Sequence, residues 1–242
     1  MDKAFVLIKF VEPQYEEDFL NGNIYMKKSS YFVDLENKGL DKGIGDKYEG
    51  AYLRKLDPKM KNVIMVGPNG EMLKIDMDKS YLAESYGFSK HIPLSCFVML
   101  SADDFIFNNQ GEGTLKEEVF KELSKDFNGR KAIIISKVNE FLKQIETELD
   151  ATGQSIHFGA VQYFNEYDPN PLDKAVYEEE PIMAFMYKRD YFKYQREFRL
   201  VLGAPIDAES KTLSIGDIRD NTESIDFNDL RKITLNQRSV EK

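Results

Sequence analysis

Residues 188–202, KRDYFKYQREFRLVL, predict the strand around which the rest of the chain is arranged. The second half of this stretch alternates between apolar and polar side chains, as a half-buried strand does. One predicted face carries an amide, a carboxylate and a guanidinium side by side, from Gln195, Glu197 and Arg199. Such groups either satisfy one another or bind a ligand, and a surface strand with solvated charges is a further interpretation. The hypothesis carried forward is that the three side chains line one cleft.

The composition is that of a globular protein with a sizeable core, because 42% of the 242 residues are hydrophobic. A formal net charge of -9 argues against a general nucleic-acid or anionic-membrane binder. The single cysteine, Cys96, excludes an internal disulfide and fits a reducing compartment. No apolar run approaches the roughly 20 residues of a membrane span, and the first residues lack the basic start of a signal peptide. We therefore expect a cytoplasmic protein, in the host cytoplasm if a phage encodes it.

The middle of the chain predicts two long helices. Thr114 and Glu117 have the spacing of a capping box, and an apolar stripe at helical spacing follows them as far as Gly129. Ser136 is the predicted cap of the second helix, and Gly153 lies just past its end. We expect both helices to pack against one sheet.

The remaining pattern predicts strands on both sides of these helices. Residues 4–10 are nearly all apolar and predict an interior strand, and residues 92–100 predict a central one. Together with the two helices, these strands predict a single α+β domain over residues 1–235, built on a mostly antiparallel, bent sheet. Residues 236–242 are polar and predict a frayed tail.

A glycine-rich stretch at residues 39–50 is the second candidate for function, because acidic and aromatic side chains alternate with its glycines. Acidic groups held by such a loop suit a cation or a sugar hydroxyl, and a mobile surface loop is the alternative. The spacing matches neither a calcium loop nor a dinucleotide-binding fingerprint. The two histidines, His91 and His157, lie far apart in the sequence, so no zinc or other metal site is predicted.

Several short motifs, in order and spacing, resemble a broad family of bacterial and phage proteins whose function is not assigned. Its members carry a glycine-preceded strand, an Asp-x-x-Glu-Gly turn, a strand with a cysteine and an aromatic residue, and a late Tyr-(Gln/Glu)-x-Glu-x-Arg strand. The matching residues here are 22–26, Phe32, 45–50, 93–97 and 188–199. The tryptophan at the centre of that family is missing from this chain. The resemblance implies that Asp46, Glu49 and Lys188 lie at the rim of the cleft that contains Glu197.

The tripeptide Gln195-Arg196-Glu197 is similar to the Gln-x-Glu element of ADP-ribosyltransferases. In those enzymes the glutamate binds the nicotinamide-ribose hydroxyls and stabilises an oxocarbenium-like transition state, and the glutamine helps to select the acceptor. The likeness implies that Glu197 and Gln195 are catalytic and that NAD is the cofactor. Lys9 occupies the early strand, where those enzymes carry Arg or His. The residues expected around NAD are Lys9, Tyr25 and Arg199.

Three classes of function follow from these observations. The first is an ADP-ribosyltransferase-like enzyme that modifies a host protein or nucleic acid, and it predicts NAD hydrolysis that depends on Glu197. The second is a phage or mobile-element protein that binds a host or defence protein through its acidic face without catalysis, in a complex that survives loss of Glu197. The third is a nucleotide-binding sensor or sponge that returns its ligand unchanged. The target and the oligomeric state do not follow from the sequence.

Overall fold

The computed structural model describes residues 5–38, 45–57, 59, 65–66, 68–73 and 80–236. In chain order the strands are β1 (Phe5–Val11), β2 (Asn23–Lys28), β3 (Tyr52–Lys55), β4 (Met65–Val66), β5 (Met72–Leu73), β6 (Tyr81–Glu84), β7 (Pro93–Ser101), β8 (Phe105–Phe107), β9 (Glu112–Leu115), β10 (Lys131–Ile135), β11 (Ile156–Ala160), β12 (Gln162–Phe164), β13 (Tyr187–Arg189), β14 (Glu197–Leu202), β15 (Ser210–Ser214), β16 (Thr222–Asp226) and β17 (Thr234–Asn236). The helices are α1 (Glu16–Leu20), α2 (Ser29–Asn37), α3 (Glu117–Phe127), α4 (Val138–Thr152) and α5 (Lys174–Glu179). None of the helices within the described ranges is long and apolar enough to cross a membrane.

The chain forms two compact units. Unit 1 comprises Met1–Lys28, Pro93–Ala160 and Tyr194–Lys242, and unit 2 comprises Ser29–Ile92 and Val161–Lys193. The α+β class is confirmed, as is the mostly antiparallel pairing of the strands. The single domain over residues 1–235 stays a prediction, and the predicted tail lies almost entirely outside the described residues.

Unit 1 is built on an eight-stranded sheet. Six strands follow the order β11-β14-β7-β1-β10-β16, β2 pairs with β7, and β15 pairs with β2. Every pairing in this sheet is antiparallel. The predicted interior strand is therefore present as β1, between β7 and β10.

The two long helices pack on opposite faces of this sheet. Successive residues of a strand point to opposite faces, so Leu7 and Ile8 of β1 belong to different cores. Leu7 packs in the core that α4 covers, which also contains Phe141. Ile8 packs in the core that α3 covers, which also contains Phe120. The expectation that both helices pack against one sheet is confirmed, with one helix on each side of it.

The predicted starts of the two helices are wrong. Thr114 lies in β9, where it pairs with Ile106 and Thr234, so strand pairing takes the residue that the capping-box pattern assigned to a helix. The residues that cap α3 and α4 are Lys116 and Lys137, and neither makes a side-chain capping bond. The end of α4 is as predicted, because the next residue is a glycine in the left-handed conformation.

The described residues of unit 2 form three short strand pairs. β3 pairs with β6 and β4 with β5, both antiparallel, whereas β12 and β13 run parallel. A small apolar core of Tyr52, Leu172, Tyr177 and Ala184 lies within the unit. Of the glycine-rich stretch 39–50, residues 39–44 lie outside the described residues.

Candidate functional site

The predicted catalytic glutamate is the first residue of β14, a strand whose six residues are all buried. The Nε of Arg199 donates a hydrogen bond to Oε2 of Glu197 over 2.6 Å. The Arg199 side chain is 1% exposed and the Glu197 side chain 9% exposed. Because β14 lies between β7 and β11, this ion pair sits on an interior strand of the sheet. For these two residues, the interpretation that they satisfy one another holds.

Gln195 does not lie on the same strand, so the predicted alternation over residues 195–199 is wrong. It is the last residue of a 3₁₀ segment, Asp190–Gln195, and β14 begins two residues later. Arg196, between them, has a φ of 49° in the left-handed region, which breaks the alternation of faces. Its guanidinium is fixed by Asp104 at 3.0 Å and by Glu122 at 2.7 Å. A common cleft for Gln195, Glu197 and Arg199 remains a prediction, but the strand alternation from which it was inferred is absent at Gln195 and Arg196.

Lys9 is half-buried against the core of unit 1, on the other face of the sheet from Glu197. Its ammonium donates to Ser95 Oγ and to the carbonyl of Cys96, both at 2.8 Å, and lies 4.9 Å from the centre of the Phe97 ring. Phe97 pairs with Phe198, the residue between Glu197 and Arg199, and successive strand residues face opposite ways. This placement does not fit one NAD molecule bound by Lys9 and Glu197 together.

The environment of Lys9 changes its protonation. Burial lowers the pKa of the Lys9 ammonium from its ordinary value of 10.5 to about 8. Ser95 and the Cys96 carbonyl, which accept its hydrogen bonds, are uncharged. The pKa of Lys9 therefore follows from desolvation within a core, which is a structural cause.

Tyr25, the other residue expected around NAD, is exposed on β2. Its hydroxyl lies 3.4 Å from the ammonium of Lys27. Its cross-strand neighbour is Thr212 of β15. Tyr25 thus lies on a solvated strand pair, and no contact in the described residues joins it to Lys9 or Glu197.

The predicted rim residues belong to unit 2, and all three are buried. Asp46 is 3% exposed, Glu49 is 7% exposed and Lys188 is 3% exposed. Oδ1 of Asp46 accepts a hydrogen bond from Nη2 of Arg189 over 2.9 Å. The same Nη2 donates to Oε2 of Glu36 over 2.9 Å. Oδ1 of Asp46 also accepts from the backbone N–H of Tyr48 over 3.0 Å, so Asp46 fixes the turn that follows it. Its place at the rim of a cleft around Glu197 stays a prediction.

The arginine that organises this cluster was missed by the sequence reasoning. The guanidinium of Arg189 lies 4.9 Å from the ring of Tyr48 and 5.0 Å from the ring of Phe192, so two aromatic faces and two carboxylates surround it. Lys188 lies 4.4 Å from the same Phe192 ring. A charged pair at residues 188–189, directly after the apolar run 181–187, was the available signal, because a buried arginine requires carboxylate partners.

A second aromatic group of unit 2 is exposed. The rings of Tyr86 and Phe88 stack 5.6 Å apart at 23°, and Tyr86 also lies 5.6 Å from the ring of Tyr177. Tyr177 is buried, and its hydroxyl donates to the carbonyl of Glu84 over 2.9 Å. We call Tyr86 and Phe88 the aromatic surface. The aromatic surface packs on the buried ring of Tyr177, whose position is fixed by its hydrogen bond.

No protein-family model, no curated protein and no solved structure matches this chain. The resemblances to the bacterial and phage family and to ADP-ribosyltransferases accordingly stay predictions. In the described ranges, no group of three or more His, Cys, Asp and Glu side chains is placed to hold a metal ion.

Proposed function

We propose that this protein acts by binding another protein and not by transferring ADP-ribose. The observation that carries the proposal is the aromatic surface, where Tyr86 is 39% exposed and Phe88 is 38% exposed although the two rings stack on each other. Exposed aromatic side chains held in a fixed arrangement are typical of the centres of protein interfaces, where they bind with little loss of conformational entropy.

The state of Glu197 supports binding over transfer. A transferase glutamate must reach the ribose hydroxyls and the developing positive charge of the transition state. Glu197 is buried, and the guanidinium of Arg199 already occupies its Oε2. A substrate that binds this oxygen would have to break a buried ion pair, at a large energetic cost.

Charge indicates which kind of partner the surface suits. The protein carries a net charge of -9, and three exposed glutamates, residues 178–180, follow Tyr177 directly in the chain. Acidic surfaces attract basic partners and raise the rate of association. The partner we propose is therefore a protein with an exposed basic segment, which in a phage or mobile-element setting is a host or defence protein.

The experiment compares four forms of the protein, each with an affinity tag and each expressed in its native cells. They are the wild type, Glu197→Gln, the double variant Tyr86→Ser with Phe88→Ser, and Tyr191→Ser as a control. Tyr191 is a matched control because it is 62% exposed and belongs to the same unit. Captured partners are identified, and the affinity of the purified pair is measured together with NAD turnover.

We expect the wild type, Glu197→Gln and Tyr191→Ser to bind the same partner with similar affinity. The double variant should bind at least about tenfold more weakly, since interface aromatics commonly contribute more than 1 kcal/mol each. Equal affinity of the double variant would refute the role of the aromatic surface. NAD turnover by the wild type that is lost in Glu197→Gln would favour the transferase instead.

A further inference from the structure

Unit 2 contains a cavity of about 450 Å³ where the end of β3 meets a turn around Pro169. The residues that line it are Tyr52, Arg54, Lys55, Leu56, Asp57, Pro169 and Asn170. The volume lies within the range of small-molecule sites in proteins, roughly 300–1,000 Å³. The turn is fixed to the strand, because Nδ2 of Asn170 donates to the carbonyl of Leu53 over 3.0 Å. This hydrogen bond holds the two sides of the cavity together.

The Nε edge of the Arg54 guanidinium contacts a carboxylate, whereas its terminal amines can bind a ligand. Its Nε lies 3.0 Å from Oε1 of Glu84, and the side chain is 49% exposed. Glu84 is in turn held by the ammonium of Lys174 at 2.5 Å. Within the described part of the chain, the terminal amines of Arg54 make no hydrogen bond. A guanidinium held in this way presents parallel N–H groups to an anion, which suits bidentate binding of a phosphate or a carboxylate.

Two further side chains define the ligand. Lys55 follows Arg54 in the wall, and none of the described residues accepts a hydrogen bond from its ammonium. Oδ1 of Asp57 accepts from the backbone N–H of Lys59 over 2.8 Å, and no described residue donates to Oδ2, which suits a donor on the ligand. The wall thus offers two cations, one carboxylate oxygen that accepts, and the apolar side chains of Leu56 and Pro169.

We infer that this cavity binds a small phosphate monoester that carries hydroxyl groups, such as a sugar phosphate or a nucleoside monophosphate. The fork of Arg54 binds two oxygens of the phosphate, Lys55 on the opposite face of β3 adds positive charge to the wall, and Asp57 accepts a hydrogen bond from a hydroxyl. The site consists of other residues than the aromatic surface, and the inference does not depend on the proposed function. It also lies in a different unit from Glu197, where the sequence placed a nucleotide.

Isothermal titration calorimetry of the purified full chain at low ionic strength tests the inference. The ligands are inorganic phosphate, ribose 5-phosphate and AMP, with ribose and adenosine as uncharged counterparts. We expect both esters to bind more tightly than inorganic phosphate and the uncharged compounds not to bind. The ratio between AMP and ribose 5-phosphate distinguishes a nucleotide from a sugar phosphate. Failure of both esters to bind, or affinities equal to that of inorganic phosphate, would overturn the inference.

Variants separate the site from general charge attraction. Arg54→Ala should bind ribose 5-phosphate at least about tenfold more weakly, with Arg54→Lys intermediate because it keeps the charge and loses the fork. Lys90→Ala, an exposed cation of the same unit outside the cavity wall, should bind like the wild type. Asp57→Asn should lose several-fold in affinity for ribose 5-phosphate and keep its affinity for inorganic phosphate. Equal losses in Arg54→Ala and Lys90→Ala, with unchanged melting temperatures, would assign the binding to net charge and refute the site.

Discussion

Two arginines, one in each unit, each pair with a glutamate through Nε, but the two pairs differ in how much of the guanidinium is exposed to solvent. In unit 1, Arg199 lies 2.6 Å from Glu197 and is 1% exposed. In unit 2, Arg54 lies 3.0 Å from Glu84 and is 49% exposed. The first pair is buried, whereas the second fixes one edge of a guanidinium and leaves the other edge exposed to solvent.

The sheets that carry the two pairs explain the difference. β14 has a neighbour on each side in an eight-stranded sheet, and helices cover both faces of that sheet. β3 belongs to a two-stranded pair with β6. A charge on an interior strand is desolvated whether or not it has a function, so it must find a partner within the fold. The comparison teaches that a glutamate on an interior strand takes a partner within the fold whether or not it also has a function.

The largest expected effect is that of Glu197→Ala. The substitution leaves the guanidinium of Arg199 buried without this carboxylate, which costs about 3–5 kcal/mol. We expect urea denaturation to report a loss of that order in the free energy of unfolding. The control is Glu223→Ala, an exposed glutamate on the edge strand β16, which should change stability little. A stable Glu197→Ala variant that has lost a ligand or an activity would instead make Glu197 functional.

A smaller loss of stability is expected from Asp46→Ala in unit 2. Arg189 loses one of two carboxylates, keeps Glu36 and is less deeply buried than Arg199, so we expect a smaller loss of about 2–3 kcal/mol. Asp34→Ala in the same unit is the control, because its ion pair with Lys38 is exposed. Equal and small changes in both variants would mean that Asp46 is free to serve at the rim of a site. Thermal and urea unfolding of the two variants provide the measurement.

Much of the fold was predictable because its signals are local. The apolar run of β1, the helical stripe of α4 and the left-handed glycine at its end all depend on a few consecutive residues. The predicted start of α3 failed because Thr114 lies in β9, between β8 and β17. Its partner in β8, Ile106, is close in the chain, but its partner in β17, Thr234, is more than a hundred residues away and leaves no local pattern.

The candidate site was less predictable for the same reason. The alternation of faces fails at Arg196, whose guanidinium is fixed by Asp104 and Glu122, 92 and 74 residues earlier in the chain. Asp46 is likewise paired with an arginine 143 residues away. The residue types were recognised from the sequence, but their partners were set by tertiary structure.

The third prediction concerns a cation whose two acceptors are uncharged, Lys9. Its pKa is lowered to about 8 in the folded protein, whereas the unfolded chain keeps the proton up to about 10.5. Between these values the unfolded state binds more protons, so the free energy of unfolding rises with pH. We expect the wild type to gain on the order of 1–3 kcal/mol relative to Lys9→Met across this window. Parallel stability profiles of the two proteins, measured by urea denaturation from about pH 7 to pH 10.5, would contradict the lowered pKa.

The smallest expected effect on stability is that of Arg54→Ala, which tests the exposed pair of Arg54 and Glu84. An ion pair exposed to this degree contributes about 0–1 kcal/mol, because water solvates both partners once they separate. Glu84 keeps the ammonium of Lys174 as a partner, so no buried charge is left alone. We therefore expect the melting temperature to change little, while the tenfold loss of phosphate-ester affinity appears in the same preparation. A loss of several kcal/mol in the free energy of unfolding would instead make Arg54 a structural residue like Arg199. The contrast between a buried structural arginine and an exposed ligand-binding arginine would then no longer hold.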